Sequence, residues 1–138
     1  FAHGFSLAIN GHGLLDPRFD RVEAWRYGPV IPSVYHSFKH NQNRPITEPS
    51  PILRGELNDG EAIFETPEVT NSDDLALLKA VYNRYRGKSA GELVDLSHLP
   101  GTPWAICYRV GCNAEIPDEE TRRYYRGLLD YLAEQAKS

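Results

Sequence analysis

Trp25-Arg26-Tyr27-Gly28-Pro29-Val30-Ile31-Pro32-Ser33-Val34-Tyr35 fits neither the 3.6-residue period of a helix nor the two-residue alternation of a strand. Three large aromatic rings, two prolines (Pro29 and Pro32) and one glycine share eleven positions. Gly28 admits a positive φ or a close approach by another segment. Pro29 fixes its own φ and pushes Gly28 away from the right-handed helical region. The stretch therefore reads as a sharp, aromatic-studded corner that delivers the chain into a new helix at Pro32. Such a corner is either the keystone of a small domain or the rim of a binding surface.

Helix signals surround this corner. Upstream, Phe1 to Ile9 reads as the last turns of an amphipathic helix, closed near Asn10-Gly11. No N-cap precedes it and no methionine opens it, so the pattern leads us to expect upstream residues, an additional helix among them. Residues 12–23 are rich in turn formers, and Val22 to Tyr27 suits an extended run. A short helix is expected from Pro32 to about His40, with Val34 and Phe38 on one face. Further on, Asn71 or Ser72 caps a helix from Asp73 to Arg86, and Ser89-x-x-Glu92 is a capping box for a helix from Ala90 to about His98. Thr102-Pro103 opens another to about Arg109, and Asp118 with Glu119 and Glu120 starts the last. The expected fold is mainly α: a single-domain bundle of five or six helices over residues 1–138, with at most a small β-hairpin.

That hairpin would lie in residues 41–71, where Pro45, Pro49, Pro51, Pro67, Gly55 and Gly60 break up any longer element. Short strands are expected at Ile52-Leu53-Arg54 and Ala62-Ile63-Phe64-Glu65. So long an irregular stretch is uncommon in a compact domain, which marks it as a candidate functional loop or flap.

Composition bounds the function. A chain of 138 residues with 41% hydrophobic and 25% charged residues builds its own core without needing metal or disulfides. Its net charge of −4, with no basic run beyond Arg122-Arg123, argues against nucleic acid as a partner. No apolar run reaches the length of a membrane span, and the basic start of a signal peptide is missing, so a cytoplasmic protein is expected. Cys107 and Cys112 form no redox motif and are too few for a zinc site, and they read as reduced, partly buried thiols.

Catalytic signatures are scarce. Phosphate-binding loops, dinucleotide fingerprints and H-E-x-x-H do not occur in the sequence. His36 and His40 could share a helix face, but carboxylate partners are lacking nearby and solvent exposure is the simpler reading. Asp73-Asp74 and Glu119-Glu120 sit in helix first turns, where the dipole accounts for them. No catalytic residue, metal or cofactor is assigned. What remains is an aromatic set: Trp25, Tyr27 and Tyr35 at the first corner, and His98, Pro103 and Trp104 at a second. These rings either plug the core, with their N–H and O–H groups on backbone partners, or line a groove for a protein partner. Both readings hold if one ring is buried and its neighbour is not.

Phe1-Ala2-His3-Gly4, the Trp25-Arg26-Tyr27-Gly28-Pro29-Val30 corner with Tyr35 and Phe38, and Leu96-Ser97-His98 followed by Thr102-Pro103-Trp104 occur in the order and spacing of the Panacea domain. Over roughly residues 1–110 the chain resembles this family, which includes GepA phage-associated proteins and SocA-like antitoxins. The resemblance implies a mostly helical antitoxin that neutralises a cognate toxin encoded beside it by direct binding. Some relatives deliver their toxin to a Clp-type protease and others only block it. It also makes Trp25, Tyr27, Gly28, Pro29, Val30, Tyr35, His98, Pro103 and Trp104 the motif positions for architecture or partner binding. Partner-specific contacts are expected in residues 41–71 and on the last helix, which carry no family motif. Two other classes stay open: a DNA-binding regulator of its own operon and, more remotely, a thiol or metal hydrolase using Cys107 or His98.

Overall fold

The computed structural model describes residues 1–56 and 59–138. In chain order the elements are α1 (Ala2–Ile9), β1 (Glu23–Trp25), β2 (Gly28–Val30), α2 (Pro32–Phe38), β3 (Ile52–Glu56), β4 (Ala62–Glu65), α3 (Ser72–Tyr85), α4 (Ala90–His98), α5 (Pro103–Cys107), β5 (Ala114–Glu115) and α6 (Asp118–Gln135). A 3₁₀ turn over Lys39–Asn41 extends α2.

Local chemistry sets the helix starts. The Asn71 carboxamide oxygen accepts from the Asp73 and Asp74 N–H groups, which satisfies two of the orphan donors of α3. Ser89 and Glu92 complete a reciprocal capping box on α4. Thr102 caps α5 by accepting from the Ala105 N–H, and Pro103 occupies its first turn. Asp118, Glu119 and Glu120 in the first turn of α6 complement its dipole.

Three helices build the core. Phe5 of α1, Leu77 of α3 and Tyr125 of α6 are buried together, with Leu14, Val81, Tyr85, Tyr124 and Leu128 packed around them. The Phe5 and Tyr125 rings meet edge-on, centroids 4.8 Å apart. Gly4 makes this possible, since a Cβ there would sit 2.2 Å from the Tyr125 ring.

The fold is mainly α, yet it is more than a bundle with one small hairpin. Among the described residues two antiparallel sheets occur, one in the order β2-β1-β5 and the other β3-β4. The sequence's sharp corner is the first hairpin: Trp25 pairs with Gly28, Ala24 with Pro29, and Glu23 with Val30. Positive φ at this turn falls on Gly28, at 130°. On its other edge β1 pairs with β5 through Ala24 and Ala114. Residues 52–56 and 62–65 do form the second hairpin, so the stretch over 41–71 carries more regular structure than a loop. The fifth helix is shorter than expected. It stops at Cys107 because Tyr108 is extended and Arg109 bridges to Cys112 around Gly111, whose φ is 75°.

Candidate functional site

The two aromatic corners form one structure. The Trp104 indole N–H donates to the carbonyl oxygen of Trp25 at 2.7 Å, which ties α5 to the first hairpin. On one side Trp104 packs against His98, with centroids 3.8 Å apart, and on the other it stacks on Tyr108 at 4.7 Å. Trp25 meets Tyr35 of α2 edge-on at 5.0 Å. Its own indole N–H donates to the Glu23 carboxylate at 2.8 Å.

Glu23 is the buried charge beneath this cluster. It is only 8% exposed and also accepts from the Arg21 guanidinium at 2.8 Å. The Trp25 N–H and then the Arg21 guanidinium hold its carboxyl below the usual carboxylate range, against the opposing effect of burial. A buried carboxylate held this way positions the Trp25 ring.

The end of α4 braces the same cluster. Because His98 Nδ1 lies 2.7 Å from the Val94 carbonyl oxygen, that nitrogen carries the proton and donates. Gly28 faces this helix end, and a Cβ there would come within 3.3 Å of Ser97 Oγ. The Thr102 hydroxyl lies 2.8 Å from the carbonyl oxygens of both Ser97 and Leu99, closing the turn between α4 and α5.

The nine motif positions therefore divide. Trp25, Gly28, Pro29, Tyr35, His98, Pro103 and Trp104 converge, and Val30 is half-buried opposite Glu23. Tyr27 does not join them. It is 75% exposed at the hairpin tip, with the Arg26 guanidinium over its ring. Tyr35 and Pro29 are also exposed, so the rings do not simply plug the core. Trp104 finds a backbone partner, as anticipated for a core ring, whereas Trp25 finds a carboxylate.

Between this cluster and the helical core lies a cavity of about 630 Å³, walled by Pro29, Pro103, Trp104, Tyr124 and Leu128 among others. Arg84 and Lys88 line it as well, and neither forms an ion pair among the described residues. The lining is suited to holding an apolar side chain or segment. His3 is there too, but both its nitrogens are engaged: Nδ1 accepts from the Leu14 N–H at 3.0 Å and Nε2 lies 2.8 Å from Asp118. In that arrangement the ring fastens α1 to the start of α6.

His3, Gly4, Glu23 and Tyr125 are not among the candidate site residues that the sequence offers. For His3 and Gly4 the signal was the Phe1-Ala2-His3-Gly4 run itself. Nothing local pointed to Glu23, because its role depends on burial beneath Trp25.

The thiols and histidines assemble nothing comparable. Cys112 is exposed rather than partly buried, while Cys107 is half-buried. Burial and then the Glu120 charge push the Cys107 thiol up, opposite to what activates a nucleophile. His36 and His40 are exposed, and among the described residues no three His, Cys, Asp or Glu side chains converge as metal ligands. Arg122 and Arg123 of α6 pair with Glu119 and Glu120, which takes their charge away from any basic face. No helix among the described residues is long and apolar enough to cross a membrane.

Comparison with known proteins places these motifs in a family. Residues 1–105 match the family described as Antitoxin SocA-like, Panacea domain. The chain is also similar to Antitoxin SocA of Caulobacter vibrioides (strain NA1000 / CB15N), with 31% identity over 106 residues. That similarity covers 77% of this chain and 53% of the relative, so the chain spans about half the length of the curated relative it matches. No solved structure matches.

Proposed function

We propose that this chain, which belongs to the SocA-like antitoxin family of Panacea domains, neutralises a cognate toxin by binding it directly. The observation that carries the proposal is the family match over residues 1–105, a span that includes both aromatic corners. The site supports it. Trp25, Tyr35, His98 and Trp104 are locked together into a rigid platform, which suits recognition by shape. The groove beside it offers apolar walls and two cations. Neutralisation is then stoichiometric, proceeds without turnover of a substrate, and takes place in the cytoplasm.

The test is genetic and then biochemical. The reading frame beside this gene is expressed with and without this chain in a bacterial host. A product that arrests growth alone and is tolerated in the presence of this chain supports the proposal. Titration of the purified pair gives the stoichiometry, and relief at far below one equivalent counts against it. Following the toxin's half-life in cells with and without Clp-type proteases separates delivery for degradation from simple blocking.

A further inference from the structure

The β3–β4 hairpin is built unlike the rest of the molecule. Leu53 and Phe64 are directly paired across it and so share one face. They are 58% and 62% exposed, which leaves an aromatic and an aliphatic side chain standing together in water. Among the described residues the sheet has two strands, so each has an unpaired outer edge. A two-stranded hairpin alone is marginally stable, and its apolar residues are ordinarily covered by something.

Charge says what covers it. Residues 41–71 hold six carboxylates, Glu48, Glu56, Asp59, Glu61, Glu65 and Glu68, against Arg44 and Arg54. This segment thereby carries a net charge of −4, the same as the whole chain, and the remainder is balanced. Within it only Glu65 forms an ion pair among the described residues, with Arg54 across the strands. The other five carboxylates form no ion pair among the described residues, and Glu56, Asp59 and Glu61 belong to the hairpin or its turn.

We propose that the Leu53–Phe64 face of this hairpin docks a basic protein, the cognate toxin, with Leu53 and Phe64 as anchors and the carboxylates of the same segment meeting its cations. This rests on the antitoxin reading and adds to it the surface used and the partner's chemistry. An apolar pair on a segment of net negative charge gives affinity through the anchors, and gives association rate and specificity through the field.

The probe is the purified product of the neighbouring reading frame, titrated against the full 138-residue chain. Leu53→Ser with Phe64→Ser removes the anchors, and Glu56→Lys with Glu61→Lys reverses charge while leaving them in place. Each pair weakens binding by about tenfold or more. Wild-type affinity falls as salt rises, and the charge-reversed chain loses most of that dependence. Val110→Ser, at an apolar residue that is 90% exposed, leaves the affinity unchanged. Circular dichroism confirms that each variant folds.

The proposal is overturned if the wild-type chain binds and both hairpin variants bind equally well, which leaves the antitoxin reading intact and moves the contact to the Trp104 groove or α6. It is also overturned if the neighbour is acidic, or if affinity does not respond to salt. When the neighbour neither harms cells nor binds the wild-type chain, the antitoxin reading fails and this inference with it.

Discussion

The indole N–H of Trp104 donates to the backbone carbonyl oxygen of Trp25, 2.7 Å away and 79 residues earlier in the chain. This bond fastens the start of α5 to the first hairpin and fixes the distance between the two aromatic corners. Trp104→Phe keeps a ring beside His98 and Tyr108 while deleting the donor. We expect a loss of about 1 kcal/mol in urea unfolding, seen as a lower midpoint with an unchanged slope. Trp104→Ala also removes the ring and costs more. Equal stability of the phenylalanine variant and the wild type would show that the bond contributes nothing.

Gly4 is as tightly constrained, for a different reason. With Tyr125 seated against its Cα, Gly4→Ala overpacks the contact between α1 and α6 and costs about 1–3 kcal/mol. The penalty shrinks when Tyr125 is first cut back to alanine, because the two residues share one space. A double-mutant cycle by chemical denaturation checks this, and strict additivity would count against it.

How much of this was legible follows the reach of each interaction. Asn71, the Ser89–Glu92 box and Thr102-Pro103 announce their helices because a cap acts within four residues of itself. The positive φ of Gly28 was readable for the same reason, although its place in a hairpin was not, since Trp25 to Val30 shows no alternation. β5 is two residues long, and only its pairing with Glu23 and Ala24 makes it a strand. No local pattern marks it. The bond between His3 and Asp118 joins positions 115 apart, and the seat of Tyr125 on Gly4 is similarly remote. Of the candidate site, the right residue types were visible. Which ring is covered and which is left in solvent, as Tyr27 is, depends on tertiary packing.

Glu23 ties the cluster to pH. Hydrogen bonds from Trp25 and Arg21 depress its folded-state pKa, so the folded state binds a proton there less readily than the unfolded chain. Its stabilisation is therefore complete above the ordinary carboxylate range and is lost as pH falls through the depressed value. Glu23→Gln should be less stable than wild type near about pH 7, and the gap should close in acid, near about pH 3. Urea titrations across that range measure it. A gap that stays constant with pH would mean the charge has no role.

The two thiols separate by environment. Cys107 is half-buried and pushed upward by burial and by Glu120, whereas Cys112 is exposed. Since the thiolate is the reacting species, iodoacetamide should modify Cys112 about tenfold faster at about pH 8. Peptide mass spectrometry over a time course reads both rates. Faster labelling of Cys107 would revive the thiol-hydrolase reading.

The exposed hairpin gives the last prediction, on stability. Ile52 and Glu65 are paired across the strands, so the chain can be closed there by a tight two-residue turn. Replacing residues 53–64 with Asn-Gly removes Leu53 and Phe64, neither of which belongs to the Phe5–Leu77–Tyr125 core. The thermal midpoint should move by no more than about 3 °C, and the helical signal at 222 nm should persist. Because little of the folding energy resides in this hairpin, its exposed apolar pair is better explained by what it meets than by what it holds together. A large drop in the midpoint would reverse that argument and make the hairpin part of the scaffold.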